Sequence, residues 1–572
     1  MQSKQLKHIS YMKKFALTVA ALLSCSAMAV AQEAVTATPF KLFGEKDVNN
    51  IKVKWEINKN ADEYHVFRDG KQIGTAKGDT YDDYNLEVGK TYSYYVEAYR
   101  DGAKVATAAA QSATTFVPSA DVTVYDNYDG KEIRKMSKSK PEGFKIGNLF
   151  FKYSISRNDE KKDGNKDWVV TECFSKDGLN GWSTPRKVAT YPGKWKFEGN
   201  SFRFNAKTGK AVLVSHLEDA DGYTAAKIFL AQITPKGKIE VGTQERPLGH
   251  DSRDQSLFVD EDGTGYLLSA TNTNSDINIY QLDPTWTKVV KLVNTICERQ
   301  HRETPAIIKR DGEYYFFSSK ASGWYPSQTM YCSAKTLDGK WTELKEIGNN
   351  STFGAQFNRI NTVGKSSIGV WSYRWGAQFK HKDATGNFPR ISVAAFNKGF
   401  ASMDYYRYIE MDDNYGLIPV QMGKYVSLNK PVKAAVKNGN GYSADCITDG
   451  CSMASARAYK KGSSTSVGTP YMLTVNLEKA TPLKEILLST NMVNGSEAAY
   501  KYVIEASADG NMFKRIVDGT TNVLPGFLVL TPADTDTPYQ YVRIRVYGMT
   551  NLNTGASANW ADGILELAVY GK

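Results

Sequence analysis

The stretch Gly249–Ser269, GHDSRDQSLFVDEDGTGYLLS, decides the fold. It reads as a short strand carrying Asp254, a Gly-rich turn at Asp260–Gly263, and an aromatic and aliphatic return strand. A hairpin of this kind is the inner half of a β-propeller blade, and the chain repeats it. The return strands are Phe150-Phe151-Lys152-Tyr153, Ala211-Val212-Leu213-Val214, Tyr266-Leu267-Leu268-Ser269, Tyr314-Tyr315-Phe316-Phe317 and Ile368-Gly369-Val370-Trp371. Their first residues stand 61, 55, 48 and 54 positions apart, the period of a propeller blade. Counting back 11 to 13 residues from the last four lands on Glu198, Asp254, Glu303 and Gln356. Four blades thus carry an acid or an amide at one register of the strand that lines a propeller's channel. Convergent carboxylates at a channel mouth are what glycoside cleavage requires.

Length and composition set the frame. A chain of 572 residues implies about three or four domains. Aromatic residues at 12%, with 34 Tyr and 10 Trp, and many Gly-punctuated short strands point to a mostly β protein. The formal charge is +11, but Lys4, Lys7, Lys13 and Lys14 lie in a segment expected to be removed, which leaves +7. No Lys/Arg block stands out, which speaks against nucleic acid as a partner. Residues 12 to 31, MKKFALTVAALLSCSAMAVA, read as the core of a signal peptide (1–31): two lysines, an apolar run, then Ala29-Val30-Ala31. The expected localisation is export, to the periplasm, the cell surface or the medium. Leu22-Leu23-Ser24-Cys25 also fits a lipoprotein site, which would tether the chain by lipid at Cys25. No later stretch is apolar enough to span a bilayer. Beyond Cys25 remain Cys173, Cys297, Cys332, Cys446 and Cys451, an odd number with no zinc spacing. Cys446 and Cys451 flank Ile447-Thr448-Asp449-Gly450 and read either as a disulfide or as two isolated thiols.

The flanks differ in texture from the repeats at 120–422. Residues 35–117 look like a fibronectin type III module, an Ig-like sandwich read here as a spacer. Trp55 closes the alternating strand IKVKW, and Leu86 with Gly89-Lys90-Thr91-Tyr92 resembles a tyrosine corner. Residues 425–572 resemble the discoidin, or factor 5/8 C-terminal, jelly-roll sandwich used by family 32 carbohydrate-binding modules. The resemblance is carried by Leu473-Thr474-Val475-Asn476-Leu477, Tyr502–Ser507, Val542–Val546 and Leu567–Gly571. Trp560 and Tyr442 read as sugar-stacking side chains or as core and loop packing.

The central repeats resemble glycoside hydrolase family 43, most closely its exo-β-1,3-galactanase branch. The motifs are Arg246-Pro247-Leu248-Gly249-His250-Asp251-Ser252-Arg253-Asp254, Arg302-Glu303-Thr304-Pro305-Ala306, Gly323-Trp324-Tyr325-Pro326, Thr352-Phe353-Gly354-Ala355-Gln356 and Arg374-Trp375. The resemblance implies Glu303 as the acid that protonates the leaving oxygen, Asp254 as its tuner, and Glu198 as a binder of substrate hydroxyls. The structural alternatives are an Asp254 ion pair with Arg253 or Arg302 and a channel-lining salt bridge at Glu198. Most family 43 enzymes place a base aspartate on the first blade. Here that blade reads Ser139-Lys140-Pro141-Glu142-Gly143-Phe144, with no aspartate at the place. The galactanase branch also lacks it and uses a glutamine, which Gln356 matches. An amide is a poor Brønsted base, so Gln356 acts through its imidic tautomer or positions water; the alternative base is Glu142, whose register is about four residues off the others. Trp324 and Trp375 read as sugar-stacking or interblade packing, Arg374 and Arg253 as further substrate contacts. His216 is expected at the pocket rim. No clustered ligands mark a metal around His216 or His250; no cofactor is required, although a structural calcium in the channel or the discoidin module is compatible with the sequence.

The expected protein is therefore all-β: a five-bladed β-propeller between a fibronectin-like and a discoidin-like sandwich, working as a monomer on a polysaccharide or oligosaccharide. The expected reaction is removal of galactose from non-reducing ends of β-1,3-galactan, with inversion. Two alternatives stay open: a family 43 enzyme acting on arabinofuranosides, xylosides or galactofuranosides, and a non-catalytic glycan-binding propeller.

Overall fold

The computed structural model describes residues 34–572 apart from 120–121, 129–130, 139, 158–165, 220–221, 323–327, 349–354, 374–388, 436–442, 454–469, 492–497 and 553. The signal-peptide segment with Cys25, and Trp324, Arg374, Trp375 and Tyr442, lie outside the described residues. The architecture is all-β; one helix of more than a single turn, Lys131–Lys138, occurs among the described residues.

Five four-stranded antiparallel sheets follow one another along the chain, each ordered as a meander. Sheet I comprises Phe144–Ile146, Leu149–Arg157, Trp168–Ser175 and Arg186–Tyr191. Sheet II comprises Trp195–Asn205, Lys210–Asp219, Lys227–Ile233 and Ile239–Thr243. Sheet III is Gln255–Val259, Gly265–Thr271, Asp276–Leu282 and Val289–Ile296. Sheet IV is Arg302–Arg310, Glu313–Lys320, Met330–Ala334 and Lys345–Glu346, and sheet V is Ala355–Val363, Ser366–Tyr373, Pro389–Asn397 and Phe400–Asp404. The arrangement is propeller-type, and none of the five sheets closes on itself. Each aromatic or aliphatic run singled out in the sequence is the second strand of its sheet.

Those second strands are apolar on both faces because each sheet is sandwiched between its neighbours. Alternation then sends successive side chains to opposite sides. Leu213 packs toward sheet I with Phe151 and Phe197, while Val212 and Val214 pack toward sheet III with Leu257, Leu267 and Trp286. Leu268 and Phe316 meet between sheets III and IV. Tyr315 and Phe317 meet Phe357, Trp371 and Phe396 between sheets IV and V. Sheet V packs its Ile368, Val370 and Ile391 against Ile133 and Met136 of the helix and Ile409 and Leu417 beyond it.

The flanking segments are joined to this body more closely than a spacer would be. A six-stranded sheet runs Thr80–Asp83, Asn50–Trp55, Val35–Leu42, Gly416–Gln421, Tyr408–Asp412, Thr123–Asp126. Its centre is a parallel pairing of Lys41 with Val420 and Leu42 with Gln421. Lys41 also makes a buried ion pair of 2.8 Å with Glu410. The second N-terminal sheet packs over Trp55, Tyr64, Tyr94 and Val96, and the Tyr92 hydroxyl accepts the Glu87 amide at 3.0 Å. At the C-terminal end, the strand Tyr471–Thr490 pairs first with Pro538–Asn551 and then with Ile564–Gly571, shifting register after Asn476. Trp560 is 51% exposed, which removes the core-packing reading of that residue. Cys446 and Cys451 are buried and form no disulfide.

Candidate active site

Four of the residues marked in the sequence sit at the same end of the first strands of sheets II to V. Glu198 pairs with His216, Glu303 with Ser319 and Gln356 with Ser372. Asp254 takes the equivalent place through its carbonyl, which accepts the Ala270 amide at 2.8 Å. These first strands neighbour one another from sheet II through sheet V.

Side-chain bonds tie each pair of strands at the level of the site. Gln255 Nε2 donates to the Gly199 carbonyl at 3.2 Å, joining sheets II and III. Ser256 Oγ donates to the Pro305 carbonyl at 2.6 Å, and the Thr304 amide to Asp254 Oδ2 at 3.2 Å, joining III and IV. The Phe357 amide donates to Ser319 Oγ at 2.8 Å, joining IV and V. The reach of Thr304 to Asp254 depends on a bulge between Glu303 and Ala306 that holds Thr304 at φ +52°. A β-branched residue in the left-handed region costs about 1–3 kcal/mol, a strain that surrounding bonds must hold. Here the bulge aims a backbone amide at one carboxylate while setting the other beside it.

Glu303 is 7% exposed, and Gln356 Nε2 donates to its Oε1 at 3.2 Å. The amide therefore touches the acid candidate directly. Among the described residues neither Arg253 nor Arg302 bonds a carboxylate: Arg302 donates to Ser318 Oγ at 3.0 Å and to the Ser318 carbonyl at 2.5 Å. Burial lowers the Arg302 guanidinium to about 10. Arg253 donates to the Tyr223 carbonyl at 2.9 Å, with its guanidinium 5.8 Å from the Tyr223 ring centre.

Glu198 is more heavily engaged than the sequence suggested. It accepts the Tyr223 hydroxyl at 2.9 Å, pairs with Lys196 at 3.0 Å, and lies 3.8 Å from His216 Nδ1. The salt-bridge alternative holds in part, but the bridge sits at the site rather than apart from it. His216 is buried rather than at the rim, because its Nε2 bonds Glu218 at 2.8 Å beneath Glu198. Tyr223 was not singled out in the sequence. It lies on the loop between the second and third strands of sheet II, where no strand periodicity marks it. A lone tyrosine in Asp221-Gly222-Tyr223 was the only signal. A cavity of about 630 Å³ opens beside it, lined by Tyr223, Arg253, His250, Asp251 and Asn272 among others.

Glu142 does not join this group. It precedes the three-residue strand Phe144–Ile146, and its carboxylate pairs with Lys152 at 2.8 Å. Counted on from the Phe144–Phe151 pair, Glu142 is level with Tyr153, the fourth residue after Leu149, whereas Glu303 faces the sixth residue after Glu313. At about 3.3 Å per residue, Glu142 stands about 7 Å nearer the hairpin end. Among the described residues, no group of three or more His, Cys, Asp or Glu is disposed to hold a metal ion, and no helix is long and apolar enough to cross a membrane.

Residues 246–364 match the family described as glycosyl hydrolases family 43. No curated protein matches the sequence significantly. Among solved structures, the exo-β-1,3-galactanase of Phanerochaete chrysosporium with galactose is 20% identical over 75% of this chain and 96% of its own, with a TM-score of 0.44. The exo-β-1,3-galactanase of Clostridium thermocellum is 22% identical over 75% of this chain and 92% of its own, with a TM-score of 0.41. A family 43 β-1,3-galactosidase is 20% identical over 51% of this chain and 99% of its own, with a TM-score of 0.37. The family match spans the segment that bears Asp254, Glu303 and Gln356, and this chain is accordingly a glycoside hydrolase with a family 43 domain.

Proposed function

We propose that the chain is an exported exo-glycosidase that removes galactose from non-reducing ends of β-1,3-galactan with inversion. In this reading sheets I to V are the five blades of one propeller. The flanking segments are a fibronectin-like module and a discoidin-like carbohydrate-binding module. The observation that carries the reading is the contact between Gln356 and Glu303, with Asp254 bonded to the next backbone amide. An amide beside the acid candidate supports the role that the resemblance to the galactanase branch implies for Gln356.

Glu303 protonates the glycosidic oxygen as the bond to the anomeric carbon breaks, and a water attacks that carbon from the opposite face. Asp254 orients Glu303 through the Thr304 bulge and supplies a neighbouring negative charge. Gln356 handles the water. Carboxyl groups of inverting enzymes stand about 6.5–9.5 Å apart to admit sugar and water. Gln356 is closer to Glu303 than that, so its side chain must turn from Glu303 onto the water as the sugar enters. An amide can make this exchange: its N–H donates to the ionised acid, and its carbonyl accepts an O–H from the protonated acid or from water. Glu198, aligned by Tyr223 and Lys196, accepts sugar hydroxyls, and Arg253 adds a donor on the same side.

The test is sugar release from β-1,3-galactan, beside aryl arabinofuranosides, xylosides and galactosides, with Glu303→Gln as control. Free galactose from the wild type alone is expected. Release only from one of the other glycosides overturns the sugar assignment. Silence on every substrate with galactan still bound would make the chain a glycan-binding protein.

A further inference from the structure

Cys173, Cys297, Cys332, Cys446 and Cys451 form no disulfide with one another. Two of them, 35 positions apart, are brought together by the packing of sheet III on sheet IV. Cys297 follows the last strand of sheet III at φ +54°, and Cys332 lies in the third strand of sheet IV, paired with Phe316. Both line one cleft of about 540 Å³ between the two sheets, with Met330 and Trp341 on its walls. Cys332 is 1% exposed within the apolar cluster of Leu268, Ile279 and Phe316, and half-buried Cys297 packs against that cluster from the cleft side. The two side chains thus meet at one cleft wall and one apolar cluster.

We propose that Cys297 and Cys332 are an oxidation site that closes to a disulfide by exchange with a low-molecular-weight disulfide of the glutathione type. Cys297, which faces the cleft, loses its proton and attacks one sulfur of the reagent. That S–S bond breaks, and the first reagent thiol leaves. Cys332 then loses its proton and attacks the Cys297 sulfur of the mixed disulfide, expelling the second reagent thiol. Two protein thiols are oxidised and one reagent disulfide is reduced to two thiols. The second step is the slow one. Contact with Cys297 and burial push the Cys332 thiol well above its ordinary range, and the nearby Arg302 guanidinium only partly opposes them.

The bond would act on the acid-bearing strand. The connection from Cys297 to Arg302 leads straight into Glu303, and Cys297, Arg299, His301 and Thr304 all hold positive φ. A covalent tie at its first residue pins this strained connection to sheet IV and shortens the unfolded chain's free loop. The inference does not depend on which sugar the enzyme takes.

The experiment treats the full-length protein with oxidised glutathione, alkylates the remaining thiols in denaturant, and maps the peptides. The expected result is a linked Cys297–Cys332 peptide pair, two fewer alkylated thiols, and an unfolding temperature raised by about 3 °C and restored by dithiothreitol. The Cys332→Ala variant should instead keep glutathione on Cys297. The inference is overturned if both cysteines of the wild type stay alkylatable, if wild-type Cys297 keeps a stable glutathione adduct, or if the only linkage found joins Cys446 and Cys451. Peptide mapping of the wild type decides the matter even where a variant fails to fold.

Discussion

Sheets I and IV are built on one plan and diverge at the level of the candidate site. The first strand of sheet IV runs nine residues, Arg302–Arg310, and spends a strained bulge on presenting Glu303. The first strand of sheet I is three residues long, and the nearest carboxylate, Glu142, is bound to Lys152, which in turn lies 4.5 Å from the Trp182 ring centre. A propeller-type body does not need every sheet to contribute to a site. Sheets II to V carry it here, and the side-chain bonds that lock neighbouring first strands fall at the level of Glu198, Asp254, Glu303 and Gln356. The geometry of the candidate site is held by the interlocking of strands rather than by any single one.

Breaking sheet IV should have the largest effect. Glu303→Gln removes the proton donor and should lower kcat by about 10³-fold with galactan binding retained, measured by steady-state kinetics and pull-down. Asp254→Asn keeps the Thr304 bond but removes the charge, and should lower kcat by about 10²-fold. Gln356→Glu sharpens the comparison by placing a second carboxylate against Glu303. A like charge disfavours ionisation of the acid, so Glu303 stays protonated to higher pH. The alkaline limb of kcat/KM should therefore move up by about 1 unit; a limb that moves down would put Gln356 elsewhere. Tyr223→Phe deletes the hydroxyl that holds Glu198 and should raise KM about 5-fold with little change in kcat. Glu142→Gln, in sheet I, should leave kcat/KM within about 2-fold, since a half-exposed ion pair contributes little. A large loss there would restore Glu142 as the base.

Much of this was legible in the sequence because strand periodicity is local. The doubly buried second strands appear as unbroken apolar runs, and a fixed count back from them finds Glu198, Asp254, Glu303 and Gln356. What escaped depends on residues far apart in the chain. The parallel pairing of Val35–Leu42 with Gly416–Gln421 has no signature, since either strand alone reads as an edge. The Lys41–Glu410 pair spans 369 positions. Tyr223 has no mark in the sequence because loops carry no period, and the burial of His216 rests on its bond to Glu218, two residues on in the same strand. The cysteines show the same limit. Nearness in sequence leaves Cys446 and Cys451 as either a pair or two isolated thiols and says nothing of Cys297 and Cys332, which packing between sheets III and IV brings together.

The proposed reaction is single displacement by a water opposite Glu303, with an amide in the place of a base. The most direct measurement is proton magnetic resonance of the galactose released from β-1,3-galacto-oligosaccharide during the first minutes, before mutarotation. The expected product is the α-anomer, with the β-anomer growing in only afterwards. A β-anomer from the start would mean retention through a covalent intermediate, and would contradict the roles given to Glu303 and Gln356.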